Sequence, residues 1–357
     1  MIFSLFKSNQ KSFIGVDIGT FSIKVVELSR QGDRRKLENY GEIQAGSLYE
    51  RSFRSFEKST LTVSGNDVVK AIRAILTESN IKTTNASFSI PDFSTFFTTF
   101  DLPPMSEEEV GQAVQYEARQ HIPLPLSEVT LDWQIIGRSE NNEKVKPFKI
   151  LLVAVPNEII NQYQGIATEA KLKLVAMEAE VFALARTLSS QEKEIGAIAL
   201  IEIGARSTTI SIVDKGVLKI SHSFDTSGND LTNVISRGVG LGYDEAEEIK
   251  KTEGLSAKNE HIKQAMIPLL DLIIVEAKKI IQSFYYTQNI EIKKVILSGG
   301  SANMPGLTEY ISKAVDKPVE VLNPFTDIYY PPILEETLKK IGPSYAIALG
   351  TALRGFI

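Results

Sequence analysis

Phe13-Ile14-Gly15-Val16-Asp17-Ile18-Gly19-Thr20 runs into Ser22-Ile23-Lys24-Val25-Val26-Glu27-Leu28, and Ala199-Leu200-Ile201-Glu202-Ile203-Gly204-Ala205 runs into Ser207-Thr208-Thr209-Ile210-Ser211-Ile212-Val213. Each stretch reads as a buried apolar strand, an acid, a glycine turn with hydroxyls, and a second strand alternating with period two. The same unit stands near the start of each half, so the chain reads as a duplicated α/β fold. Each turn offers backbone N–H groups and small side chains to an anion. Two such turns facing each other would clamp a polyphosphate, with the acids holding a metal through water.

Working outward, residues 12–45 are expected to form a three-stranded meander with a turn at Gly32-Asp33, and residues 47–62, rich in Ser and Arg, an exposed loop. A helix follows, with Ser64 as its N-cap and Val68, Ile72, Ile75 and Leu76 on one face. Residues 86–90 and 94–102 read as strands. Pro103-Pro104 breaks the chain, and Ser106-Glu107-Glu108-Glu109 is a capping box. The helix beyond it carries Val110, Ala113, Val114 and Ala118 on one face and stops at Ile122-Pro123-Leu124-Pro125. Strands at 129–136 and 148–155, joined by the polar loop 139–146, complete a small α+β insert over 86–164. A helix over 157–171, a strand over 172–177 and a helix over 178–188 follow. Strands at 197–203, 207–213 and 217–224 open the second half, the last two joined by Asp214-Lys215-Gly216. Residues 228–288 are helical, ending in a helix over 267–286. Lys294-Val295-Ile296-Leu297-Ser298-Gly299-Gly300-Ser301 is a buried strand with a glycine turn, and residues 344–352 close the chain as a helix of small residues.

Composition narrows the function. The chain has 357 residues, 43% of them hydrophobic and 23% charged, which is the range of a globular protein with several domains. A net charge of −5 with no basic run argues against a general nucleic-acid binder. The absence of cysteine excludes disulfides and thiolate catalysis. His121, His222 and His261 have no metal-ligand spacing. No apolar stretch is long enough to span a bilayer. Ile2, Phe3, Leu5 and Phe6 form a sticky face, either for a membrane surface or for packing on the protein or a partner.

Taken singly, an Asp-Ile-Gly-Thr turn is a common hairpin. The pair, followed by Ser298-Gly299-Gly300-Ser301 after a third buried strand, makes a set. The double glycine lets a base or its phosphates lie against backbone. Glu247 and Lys250, three apart on one helix face, would grip a ribose and an adenine edge; alone they read as a solvated charged face.

In their order these turns resemble the actin-like (ribonuclease H-like) ATPase superfamily, which includes actin, the large heat-shock chaperones, sugar kinases and the cell-division protein FtsA. The segments 122–133, 180–186, 242–250 and 348–355 are similar to the type IV pilus assembly PilM family, on the FtsA-like branch. The insert motif Ile122-Pro123-Leu124-Pro125-Leu126-Ser127-Glu128-Val129-Thr130-Leu131-Asp132-Trp133 is the most specific of them. The resemblance implies a two-lobe fold: 1–85 and 165–195, with part of 340–357, as the first lobe; 86–164 as an interaction insert; 196–357 as the second lobe, with a helical subdomain over about 228–290. It places Gly19, Thr20, Ser22 and Lys24 at one phosphate loop and Gly204, Ala205, Ser207 and Thr208 at the other. Gly299, Gly300 and Ser301 fall at the nucleoside, with Glu247 and Lys250 at ribose and adenine. Asp17, Glu180 and Glu202 would hold Mg²⁺ through water, Glu180 and Glu202 also positioning the reacting water.

The family implies ATP or ADP as ligand. It also implies a partner, the N-terminal cytoplasmic peptide of a PilN-like inner-membrane protein, beside other pilus platform or motor proteins. Localisation would be cytoplasmic, with membrane contact only through the partner. Glu202 departs from the superfamily, where the second acid is usually Asp. The extra methylene would disturb a water shell around octahedral Mg²⁺ while leaving binding intact, so at most weak ATPase activity is expected. The alternatives are a sugar or acid kinase of the same superfamily, for which no base and no large substrate insert is seen, and an FtsA-like division protein.

Overall fold

The computed structural model describes residues 12–45, 54–57, 60–138 and 147–357. The Met1–Phe6 arm, the polar loop 139–146 and much of the expected loop 47–62 lie outside the described residues. The chain divides into two compact units, one reaching to Ala183 and including Val217–Ile220 and Ala348–Ile357, the other comprising Leu184–Gly216 and Ser221–Ile347.

In the first unit, β1 (Ser12–Ile18), β2 (Ser22–Gln31) and β3 (Arg34–Gln44) form the expected antiparallel meander, turning at Gly32 with φ +61°. A short hairpin follows, β4 (Arg54–Glu57) with β5 (Thr60–Val63), inside the stretch expected to be a loop. Its alternation is too brief to register against Ser and Arg. Helix α1 (Gly65–Glu78) buries Val68, Val69, Ala71, Ile72 and Ile75 and packs on β2 and β3. Next comes β6 (Asn85–Ile90), which pairs parallel with β1.

Residues 86–90 therefore belong to the main sheet, although the sequence reading puts them at the start of the insert. Five-residue alternation does not say which sheet a strand joins. The separate three-stranded sheet takes β7 (Phe96–Leu102), β8 (Val129–Arg138) and β9 (Phe148–Pro156), in the order β7-β9-β8. Across it lies α2 (Glu107–His121), opened by the reciprocal Ser106–Glu109 capping box. Val110, Val114 and Ala118 are fully buried among Leu102, Phe148, Ile150, Leu152 and Ala154. After β9, α3 (Asn157–Glu169) packs against α1, its Tyr163 edge-on to Phe88 of β6. It leads into β10 (Lys173–Ala179), parallel to β6. Helix α4 (Glu180–Arg186) carries the chain into the second unit.

After α4 the chain forms α5 (Ser190–Ile195), then β11 (Ala197–Ile203), β12 (Thr208–Asp214) and β13 (Val217–Phe224). Lys215 and Gly216, with φ +51° and +77°, make the expected tight turn between β12 and β13. Helices α6 (Gly228–Val239), α7 (Tyr243–Thr252) and α8 (Glu260–Gln288) follow, and then β14 (Lys294–Ser298), α9 (Leu307–Val315), β15 (Val319–Val321) and α10 (Glu335–Arg354). Two helices are longer than expected. Both α8 and α10 run through a proline, Pro268 and Pro343, where the sequence argues for a stop.

The duplication is visible strand by strand. The strands of the first unit run β10-β6-β1-β2-β3 and those of the other sheet β15-β14-β11-β12-β13. In each, the central strand pairs antiparallel with its successor (β1/β2, β11/β12) and parallel with a later strand (β6, β14). The register repeats too: Ile18 pairs with Ile23 and Ile203 with Thr208, each closing a four-residue turn.

Candidate functional site

The two glycine turns are built alike. In each, the glycine N–H donates to the carbonyl three residues on, Gly19 to Ser22 at 2.9 Å and Gly204 to Ser207 at 3.0 Å. Spacing is shared: the acid stands two residues before the glycine and the serine three after it, Asp17–Gly19–Ser22 and Glu202–Gly204–Ser207.

In the first unit, Asp17 is buried at the end of β1 and accepts from Ser89 Oγ at 3.2 Å. Lys24 stands across the hairpin from Asp17, donating to Ser22 Oγ at 2.6 Å and lying 3.3 Å from Glu42. Thr20 and Gly19 are partly exposed at the turn's outer side. Glu180 begins α4 and is buried; it accepts from the Asp92 N–H at 3.4 Å, while Asp92 Oδ1 accepts from the Val181 N–H at 3.0 Å. That exchange ties the end of β6 to the start of α4. Sequence reading passed over Asp92 and Ser89; the signal was an acid directly after Ile90-Pro91, at the carboxyl end of a buried strand.

In the second unit, the carboxylate of Glu202 folds back over the glycines. A Cβ built on Gly204 would lie 3.2 Å from its Oε2, and one built on Gly299 would lie 2.7 Å from its Oε1 and 2.4 Å from the Ile203 carbonyl oxygen. Gly299 also has φ +90°, so only glycine sits there without strain. Its N–H and the Ser298 hydroxyl both donate to the Pro343 carbonyl at 3.0 Å, which anchors the loop on α10. Gly300 is exposed and Ser301 buried.

The amino end of α6 closes on the same place. Ser227 and Asp230 form a capping box, and Gly228 N–H donates to the Gly204 carbonyl at 2.8 Å. A Cβ on Gly228 would stand 2.6 Å from Ser301 Oγ and 3.6 Å from Lys250 Nζ. Thus Gly204, Ser301 and Lys250 converge on Gly228, a residue the sequence reading did not single out, and Glu202 stands beside Gly204 and Gly299. Thr208 is fully buried and its hydroxyl donates to the Thr226 carbonyl at 2.6 Å. It therefore holds the approach to α6 instead of facing a ligand, so the surface-accessible part of this turn is Gly204–Arg206.

Glu247 and Lys250 are not a solvated face. Lys250 is 3% exposed, and its ammonium group has three protein acceptors: Glu247 Oε2 at 2.7 Å, Gly228 O at 2.9 Å and Thr232 Oγ1 at 2.9 Å. Thr232 in turn bonds the Glu247 carboxylate. Burial lowers the Lys250 pKa, with the Glu247 charge opposing. Burial pushes Glu247 up, but the charge of Lys250, hydrogen bonds from Lys250 and Thr232 and the charge of Lys251 outweigh it, leaving Glu247 below the usual carboxylate range.

Among the described residues no group of three or more His, Asp or Glu side chains is placed to hold a metal directly. The oxygen groups present are carboxylates and hydroxyls, a set suited to Mg²⁺ that keeps several of its waters.

The insert offers a second feature. The outer side of α2 borders a groove of about 500 Å³ lined by Gln112, Gln115, Tyr116, Arg119, Leu126 and Leu131. Tyr116 is 67% exposed. No helix of the described residues is long and apolar enough to cross a membrane.

Over 158 residues the chain is 28% identical to the cell division protein FtsA of Staphylococcus epidermidis, a match covering 38% of this chain and 34% of that protein. Among solved structures, a PilM-PilN type IV pilus biogenesis complex superposes with a TM-score of 0.81 at 23% identity, over 96% of this chain and 98% of that one. MreB 5 of Spiroplasma citri bound to AMPPNP superposes with a TM-score of 0.53 at 12% identity, over 97% and 96%. The fold is therefore the actin-like ATPase fold. The sequence family described as type IV pilus assembly protein PilM matches residues 15–356, nearly the whole chain, and the protein belongs to that family.

Proposed function

We propose that this protein is a nucleotide-binding scaffold of the type IV pilus assembly platform, or of a related type II secretion machine. It would be held at the cytoplasmic side of the inner membrane by the N-terminal segment of a PilN-like membrane protein. The observation that supports this most is the family match over residues 15–356, together with the likeness of the fold to a PilM-PilN complex.

For the nucleotide, Gly19, Thr20, Ser22 and Lys24 of one turn and Gly204 and Ala205 of the other are the residues we assign to the phosphates, with Ser207 closing the second turn through its carbonyl. Gly299, Gly300 and Ser301 are assigned to the nucleoside, and Glu247 to the ribose. Lys250, with its three acceptors filled, orients Glu247 and the amino end of α6. Asp17, Glu180 and Glu202 would hold Mg²⁺ through its waters, the ion supplying charge neutralisation at the phosphates. The reach of Glu202 over Gly204 and Gly299 favours binding without rapid turnover, because hydrolysis needs a water held in line.

For the partner, the apolar stripe of α2 is spent on the insert's own sheet. Its outer face and the groove lined by Tyr116, Arg119, Leu126 and Leu131 are what a tail can use. Such a tail would bury apolar side chains against Tyr116 and the two leucines. The test is direct. Purified protein should retain ATP or ADP and release phosphate far more slowly than the roughly ten per second of a metabolic enzyme. Rapid phosphate transfer to a panel of sugars or organic acids would replace the scaffold by a kinase.

A further inference from the structure

Helix α8 carries apolar side chains on two opposite sides. Ile262, Met266, Leu270, Ile273, Ala277 and Phe284 are buried. On the other side Pro268, Leu272, Val275, Lys279, Gln282 and Tyr286 follow one another at alternating steps of four and three, the spacing of a heptad seam. All six are exposed, Leu272 and Val275 at 53% each and Tyr286 at 81%. A surface helix with one neighbour turns charged and polar side chains outward, so an outer seam of this spacing is what a helix keeps for a second neighbour.

The charges beside the seam say which neighbour fits. Asp271 and Lys278 lie on one flank, each directly before a seam residue, and Glu276 lies on the other. Asp271 is exposed and accepts from the Tyr310 hydroxyl at 2.7 Å. Lys278 is exposed and, among the described residues, has no ion pair. Glu276 already holds Lys279 at 2.9 Å. Laid antiparallel on a second α8, Leu272 meets Val275 of the other copy, twice over by symmetry. In that register Asp271 faces Lys278 of the other copy, and Tyr286 reaches the exposed His261. A parallel pair would instead set Asp271 against Glu276, acid against acid. Flanking charges fix the orientation of paired helices, so this face is complementary to itself in one direction only.

We propose that the outer face of α8 is an interface with a second copy of this chain, the two helices lying antiparallel about a two-fold axis. Such a contact presents the same surface from both sides and closes on itself, giving a pair and not a filament. It uses one helix from each chain, the small end of specific interfaces, so the association is reversible. The inference does not rest on the nucleotide or the pilus reading, and it is measured with neither ligand nor partner present.

Sedimentation equilibrium of the full chain over a concentration series should show monomer and dimer in exchange. K278D sets an acid against Asp271 at two places in the pair and should weaken the dimer about tenfold or more. D271K/K278D exchanges the two charges and should restore it. L272E/V275E should be monomeric and melt as the parent does, since both side chains lie outward; the charge variants decide should it not fold. The chain has no cysteine, so L272C and V275C report orientation. Oxidised together, they should cross-link to each other in excess of the statistical mixture. A chain that stays monomeric throughout overturns the proposal and leaves the face to a different protein. A dimer that K278D leaves undiminished overturns it as well, as does one that a folded L272E/V275E keeps. So does a D271K/K278D chain that melts normally without regaining the dimer, and so does the lack of any excess of the mixed cross-link.

Discussion

Lys250 shows how one side chain serves both stability and binding. An ammonium group buried to 3% exposure is tolerated because its protons meet Glu247, Gly228 and Thr232. Lys250→Met takes the buried ammonium group from the Glu247 carboxylate, which keeps Thr232 and Lys251, and removing one member of a buried ion pair costs about 3 kcal/mol at the low end. A drop in melting temperature should show it, with nucleotide affinity falling alongside. Glu247 adds a pH dependence. Its folded pKa is below its ordinary value, so the stability it contributes is present above that ordinary value and is lost as pH falls through the folded one. Urea titrations across the acid range should therefore show a shallower loss for Glu247→Gln than for the parent; equal slopes would remove Glu247 from the acid response. Gly299→Ala places a Cβ against the Ile203 carbonyl and the Glu202 carboxylate at φ +90°, and nucleotide retention should be lost. At this scale the sequence was readable where chemistry is local: the acid-glycine-serine spacing lies within six residues. The partners of Lys250 on α6, eighteen and twenty-two positions away, are set by helix packing, and no local signal announces them.

Among the elements, the small residues of α10 have a plain cause. A Cβ on Gly15 of β1 would lie 2.0 Å from the Ala348 carbonyl oxygen and 2.3 Å from the Ala352 nitrogen; one on Gly350 would lie 2.0 Å from the Ala183 carbonyl of α4. These are backbone atoms, so the neighbours cannot swing away. Gly15→Ala should destabilise by about 3 kcal/mol, the upper end of overpacking, read as a shift in denaturant midpoint at constant slope. Helix α2 separates its two faces more sharply. Val114→Ala thins the packed face and should lower stability by about 1–2 kcal/mol. Tyr116→Asp, on the exposed face, should leave the melting temperature unchanged and remove partner binding. The capping box, the apolar stripe and the β12–β13 turn were legible because each is a short-range pattern. The full lengths of α8 and α10 were not, because Asn259 caps α8 eight residues before the start expected from the apolar run, and both helices carry on through their prolines. Nor was the sheet that β6 joins, which depends on parallel pairing with β1 far back in the chain.

At the scale of the molecule, two copies of one five-stranded arrangement carry two glycine turns of the same design, and a small sheet with one helix is set into the first copy. The duplication was readable in outline because the repeat keeps its residues; the limits of the insert were not, since β6 alternates just as an insert strand would. Family membership rests on nearly the whole chain, and from it comes the central claim, that the protein is a scaffold gripping the tail of a membrane partner. The most direct measurement is calorimetric titration of the full chain, loaded with ATP and Mg²⁺, with a synthetic peptide from the N-terminus of a PilN-like membrane protein. The account predicts saturable binding of one peptide per chain, abolished by Tyr116→Asp in a protein that melts normally. No binding by the parent chain, or binding that Tyr116→Asp and Arg119→Glu together leave unchanged, would contradict it.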